Sequence, residues 1–109
     1  MQINLNVQPK YFTDIREGLK ILEGRLAKEK YRLLNIGDTI LFDNGDDTIV
    51  KKIDGIHIFD SFSSGADFLR VKNIIPGIES VSELVSIYRQ FYSEEDEKKY
   101  GVVFLKLID

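Results

Sequence analysis

Two glycines decide what residues 15–26 can become. Ile15, Leu19, Leu22 and Leu26 fall on one helical stripe, at i, i+4, i+7 and i+11. A single helix through them would hold Gly18 and Gly24 in its interior, at about 1 kcal/mol each relative to alanine. Lys20 and Glu23 would then be a solvated i, i+3 pair on its outer face. The other solution is a helix that stops at Gly18 and a strand over residues 20–26. In that strand Glu23 and Arg25 share a face. Lys20 joins them only if it lies in the turn after Gly18. Spacing alone leaves both solutions open.

The rest of the chain bounds the choice. At 109 residues, 43% hydrophobic and 30% charged, it has the length and composition of one globular domain, residues 1–109, with a real core. No apolar run is long enough to cross a bilayer, and MQINLNVQPK lacks the basic and apolar regions of a secretory signal. A cytoplasmic location and no membrane partner are therefore expected. There is no cysteine, which excludes disulfides and thiolate metal sites. A single histidine, His57, argues against a zinc cluster or a Ser-His-Asp site. The net charge of −3 speaks against nonspecific nucleic-acid binding, but it is unevenly spread. Residues 1–36 hold seven cations and four anions, a net of +3, which leaves −6 for the remainder.

INLNV alternates like a half-buried strand, and Pro9 ends it. Tyr11, Phe12 and Ile15 suggest a short helix. Residues 35–38 read as a turn before the strand TILF. Asp43-Asn44-Gly45 signals a hairpin, and the long β-branched run of residues 48–62 invites a bulge at Gly55. ADFLRV reads as a short helix. Ser80 and Glu83 have capping-box spacing, followed by Val81, Leu84, Val85, Tyr88 and Phe91 at helical intervals. SEEDEKKYG reads as a solvated acidic connection, and VVFLKLI as a last strand buried on both faces. The expectation is an α+β domain of five or six strands and two or three helices, its sheet curled and closed by the terminal strands.

GLKILEGR fits the pattern G-x-K-x-x-E-x-R, which resembles the signature of the ASCH (activating-signal-cointegrator homology) domain. NIGDTILF after it and EDEKKYGVVFLKL at the end are similar to segments of small stand-alone ASCH proteins, so the resemblance spans nearly the whole chain. It implies a PUA-like β-barrel decorated by helices, with RNA or a nucleotide or nucleoside held in a cleft near the signature. No cofactor and no metal are expected. It also favours the helix broken at Gly18, and it carries the signature positions to Lys20, Glu23 and Arg25.

Those residue types suit such a ligand. Arg25 can grip a phosphate through parallel hydrogen bonds or stack on a base. Lys20 offers a point charge. Glu23 can accept from an exocyclic amine or ring N–H, or simply orient its basic neighbours. The same trio also reads as a structural ion-pair network. Lys28, Lys30 and Arg32 surround Tyr31, and together they could follow an RNA backbone and stack a base. Equally, they read as a solvated loop with Tyr31 in the core. His57 reads as a packed or surface residue. The aspartates 43, 46 and 47 lack calcium-loop spacing.

The resemblance also raises an enzymatic alternative, an amidohydrolase acting on N4-acetylcytidine with a Thr nucleophile, a Lys and a Glu. The Lys carries over to Lys20. The Thr position holds Glu23, and KILEGR supplies no Ser, Thr or Cys. The family's Glu falls near IPGIES, where Glu79 is a loose match. If the chain is catalytic, Lys20 and Glu23 would act by activating water, in a nucleoside hydrolase or a ribonuclease. A third reading is a protein-interaction domain that keeps the fold without the ligand site.

Overall fold

The structure, a computed structural model, describes residues 1–109. Eleven elements follow one another along the chain. They are β1 (Gln2–Asn6), α1 (Pro9–Arg16), β2 (Leu22–Leu26), α2 (Glu29–Arg32), β3 (Thr39–Asp43) and β4 (Thr48–Phe59), then α3 (Phe62–Leu69), α4 (Val71–Ile74), α5 (Val81–Tyr88), α6 (Glu94–Tyr100) and β5 (Val102–Ile108). The glycines resolve the opening ambiguity. Gly18 sits at φ +77°, which ends α1, and Gly24 lies within strand β2.

The five strands form one sheet in the order β1-β3-β4-β5-β2, with β1 parallel to β3 and all other pairs antiparallel. The terminal strands do not close it. β5 lies between β4 and β2, so the free edges belong to β1 and β2. Yet Arg25 on β2 donates to the Asn6 carbonyl on β1 across 3.3 Å. Opposite edges of a five-stranded sheet meet only if the sheet curls strongly, so it forms a half-barrel with a seam. A register irregularity between Ile53 and Gly55 places the bulge where the glycine suggested.

Alternation along β5 divides the core in two. Val103, Leu105 and Leu107 fill the inside of the half-barrel with Ile40, Phe42 and Ile53. Val102 and Phe104 face outward, under Phe62 and Ala66 of α3 and Leu84 and Tyr88 of α5. β5 is therefore buried on both faces, as its composition required.

The α+β class and the strand count stand, but the helices number six rather than two or three. Two of them, α2 and α4, are single turns of four residues. α3 begins at Phe62, earlier than the pattern suggested, because the Ser61 hydroxyl accepts the Ser64 N–H at 3.1 Å. The acidic connection is itself a helix, α6. Ser93 caps it, accepting the Asp96 N–H at 3.1 Å. Its Glu97 is buried, accepting the Phe62 N–H at 2.7 Å and Arg89 at 3.0 Å. α6 is thereby tied to the start of α3 and the end of α5. The Ser80 cap of α5 is as expected, accepting the Glu83 N–H at 3.1 Å.

Candidate functional site

The turn after α1 puts Lys20 beside its strand neighbours. The N–H groups of Leu19 and Lys20 both donate to the Asp14 carbonyl, at 2.9 and 3.0 Å, and fold the chain back before β2 starts. Lys20 therefore stands in the turn, the position it needs to meet Glu23. Its ammonium is 4% exposed and donates to the carbonyls of Leu22 (2.8 Å) and Ile74 (2.5 Å). One Glu23 oxygen, Oε2, accepts from Arg25 Nε at 2.7 Å. The other, Oε1, lies 3.7 Å from Lys20 Nζ, beyond hydrogen-bond distance, and accepts no hydrogen bond from the protein.

The charges are set by this arrangement. Burial pushes the Lys20 ammonium below its ordinary pKa, and the Glu23 carboxylate only partly restores it. Burial is the largest single influence on Arg25 and works against its charge, but Glu23, with smaller help from Tyr31 and Tyr92, more than offsets it and the guanidinium stays firmly protonated. Arg25 spends one donor on Glu23 and one on Asn6, and its guanidinium also lies beside the Tyr31 and Tyr92 hydroxyls.

The three side chains open into a cavity of about 150 Å³ at the seam. A void of that size admits about one benzene-sized ring. Asn6 and Val7, at the end of β1, form one wall. Tyr11 forms another, its ring centroid 5.9 Å from Lys20 Nζ. Tyr88, Phe91 and Tyr92 close the third. Tyr88 stacks on Phe62 with centroids 4.2 Å apart, and this fixes the wall. Burial, and then the Glu23 charge, raise the Tyr88 phenol well above its usual pKa, so its hydroxyl remains a donor. Phe91 is 53% exposed at the rim. These aromatics are what the sequence did not reveal as site residues. Tyr88 and Phe91 read there as a core stripe, and the doubled aromatic Phe91-Tyr92 at the helix end was the available signal.

The second basic group lies elsewhere. Lys28, Lys30 and Arg32 do not line the cavity. Lys28 and Lys30 are exposed, with their ammonium groups 5.2 Å from the Tyr100 and Tyr31 rings. Arg32 fastens α2, donating to the carbonyls of Ala27 (2.7 Å) and Tyr100 (3.0 Å). Tyr31 is a core residue. Glu79 lines a separate open cleft beside α3 and α4, not the seam. His57 is half-buried on β4, paired with Phe104. Asp43 and Asn44 cap the hairpin turn, accepting the N–H groups of Gly45, Asp46 and Asp47. No three His, Asp or Glu side chains are placed to hold a metal ion. No helix is long and apolar enough to cross a membrane.

A curled five-stranded sheet, wrapped by short helices and carrying its charged cleft at the open seam, defines a small PUA-like α+β protein. More particularly, the chain belongs to the ASCH family: the ASCH domain model matches residues 5–109. Solved structures agree. The hypothetical protein PH0355 is 40% identical, with TM-score 0.92, over 98% of this chain and 97% of its own. Protein PF0455 from Pyrococcus furiosus is 34% identical, with TM-score 0.80, over 98% and 96%. A mutant of ZmASCH from Zymomonas mobilis shares the fold at 15% identity and TM-score 0.61, over 97% of this chain and 66% of its own. No curated protein matches the chain.

Proposed function

We propose that this protein binds RNA or a nucleotide by taking one base, edge first, into the seam cleft. The observation that carries this reading is Glu23 Oε1. It is a carboxylate oxygen on a 6% exposed residue, open to a ring-sized space, with the Lys20 ammonium 3.7 Å away and no donor within hydrogen-bond distance. A base amine or ring N–H is the complement such an oxygen lacks. Tyr11, Tyr88 and Phe91 give the apolar walls a base prefers. The Arg25 guanidinium offers its charge to the sugar-phosphate, which a cavity of this size leaves outside. Lys28, Lys30 and Arg32 contribute through the general attraction of a basic surface to the backbone. Hydrolysis by a hydroxyl nucleophile has less support, because no Ser, Thr or Cys lines the cleft.

Titration with short single-stranded RNAs at low and moderate salt tests this. Two or three backbone contacts predict a log–log salt slope of about −2, made shallower by about 0.7 in Lys28→Ala or Lys30→Ala. Arg25→Ala is expected to abolish measurable binding. An absence of binding at every salt concentration overturns the proposal, as does binding that Arg25→Ala leaves intact. Incubation with N4-acetylcytidine, followed by analysis for cytidine, checks the hydrolytic alternative.

A further inference from the structure

The cleft has a fourth polar wall that is not a side chain. Gly24 lines it, and a glycine can do so only with its main chain. The register of β2 on β5 pairs Glu23 with Leu105, Gly24 with Phe104 and Arg25 with Val103. The flanking bonds, Leu107 N–H to Ile21 O at 2.8 Å and Ala27 N–H to Gly101 O at 3.0 Å, fix the odd-numbered residues as those bonded to β5. The N–H and C=O of Gly24 therefore point the other way, toward the free edge of β2. No turn, loop or side-chain hydrogen bond engages either group, and the residue is buried.

The walls of the cavity say the same. Glu23 and Arg25 project from one face of β2, while Tyr88 packs against the other, on the Phe104 side. A space lined by both faces of a strand must wrap around its edge, and Gly24 is the residue at that edge. On the opposite side of the seam Asn6 offers its carbonyl in the same way, and that group is taken by Arg25. Gly24 keeps a main-chain donor and acceptor side by side at the buried edge of the cleft, whereas the side-chain amides of Asn6 and Gln8 on the opposite side are on exposed residues. Buried main-chain groups are seldom left without a partner.

We infer that Gly24 binds the ligand through its main chain, its N–H and C=O forming strand-like hydrogen bonds with a planar heterocycle that carries an acceptor beside a donor, as the Watson–Crick edge of a nucleobase does. This rests on the base-binding reading above and adds to it. Glu23 supplies one acceptor of fixed charge. Gly24 supplies a neutral donor–acceptor pair on a rigid strand, so the base is read along its edge and not at a single atom. Water occupies these groups in the free protein, and the base displaces it.

Amide hydrogen exchange followed by ¹⁵N–¹H NMR, alone and with AMP, GMP, CMP or UMP, tests the inference. In the free protein the Gly24 amide should exchange much faster than those of Glu23 and Arg25. With a binding nucleotide at about 100 times its Kd, Gly24 exchange should slow about 100-fold and its proton resonance should move downfield. If a nucleotide shifts the Glu23 and Tyr88 resonances while Gly24 exchange is unchanged, the main-chain contact is refuted and the base-binding reading stands. If Gly24 is already as protected as its neighbours in the free protein, the contact is likewise refuted. If neither the four nucleotides nor a short single-stranded RNA binds, both fall.

Discussion

Glu23→Gln is expected to cost the protein about 3 kcal/mol of stability, because it breaks a buried pair from one side. Lys20 and Arg25 would keep their charges at 4% and roughly 20% side-chain exposure with no anion between them. Urea denaturation at neutral pH measures the loss. Its pH dependence identifies Lys20 as a source. Burial already holds the folded-state pKa of Lys20 below its ordinary 10.5, and losing Glu23 lowers it further. Below the folded pKa both states are protonated, and the cost of the buried charge is complete. Between the folded and unfolded values only the unfolded chain keeps the proton, so stability rises with pH. In the variant this window opens at a lower pH than in the parent. The deficit should therefore shrink as pH rises toward about 10. A deficit that stays constant with pH would remove Lys20 from the explanation. Ligand affinity should fall about 10- to 100-fold, the equivalent of one hydrogen bond to a charged group.

Gly24→Ala, ordinarily a mild change in a strand, is expected to destabilise by about 1–3 kcal/mol through overpacking. The new methyl would lie 2.5 Å from Tyr88 Oη and 2.7 Å from Phe104 Cε1. Phe104 is fully buried between the sheet and α3 and cannot yield. Tyr88 can, but only by moving toward the cleft, so binding should be lost along with stability. Adding Tyr88→Phe removes the closest contact and should recover part of the stability. A thermal melt of the single and double variants decides this. A neutral single variant would mean that β2 and α5 are further apart than described.

Gly24 also shows what the sequence could and could not reveal. Its cost in a helix argued for a strand, and a strand it is. The stronger reason for glycine there, the approach of two aromatics from elements far along the chain, has no local signature. Gly65 is similar. Ser63-Ser64-Gly65 resembles a loop, yet it lies in the first turns of α3, and residue 65 is glycine because a Cβ there would collide with the Phe104 ring. α6 escaped notice for a different reason. Its buried residue is Glu97, a carboxylate satisfied by Phe62 and Arg89, so no apolar stripe marks the inward face. The Ser93 cap was the remaining clue.

The site divides along the same line. Lys20, Glu23 and Arg25 are legible because one short segment carries all three, and the helix break at Gly18 sets their relation. Tyr88, Phe91 and Asn6 join them only through the curl of the sheet and the packing of α5, which depend on contacts between distant segments. The order of the strands was hidden too. Nothing local says that β5 inserts between β4 and β2, and that insertion is what leaves the edges of β1 and β2 facing one another across a seam.

The most direct test of base capture in that seam uses Phe91→Trp. The chain has no tryptophan of its own, so the rim of the cleft gains a unique fluorophore at a half-exposed position where substitution disturbs little. Titration with single-stranded RNA or nucleoside monophosphates should quench its emission saturably, and adding Glu23→Gln should weaken the response about 10- to 100-fold. RNA binding that is evident by another method but leaves the indole emission of the Phe91→Trp variant unchanged would contradict the account and move the ligand to another surface.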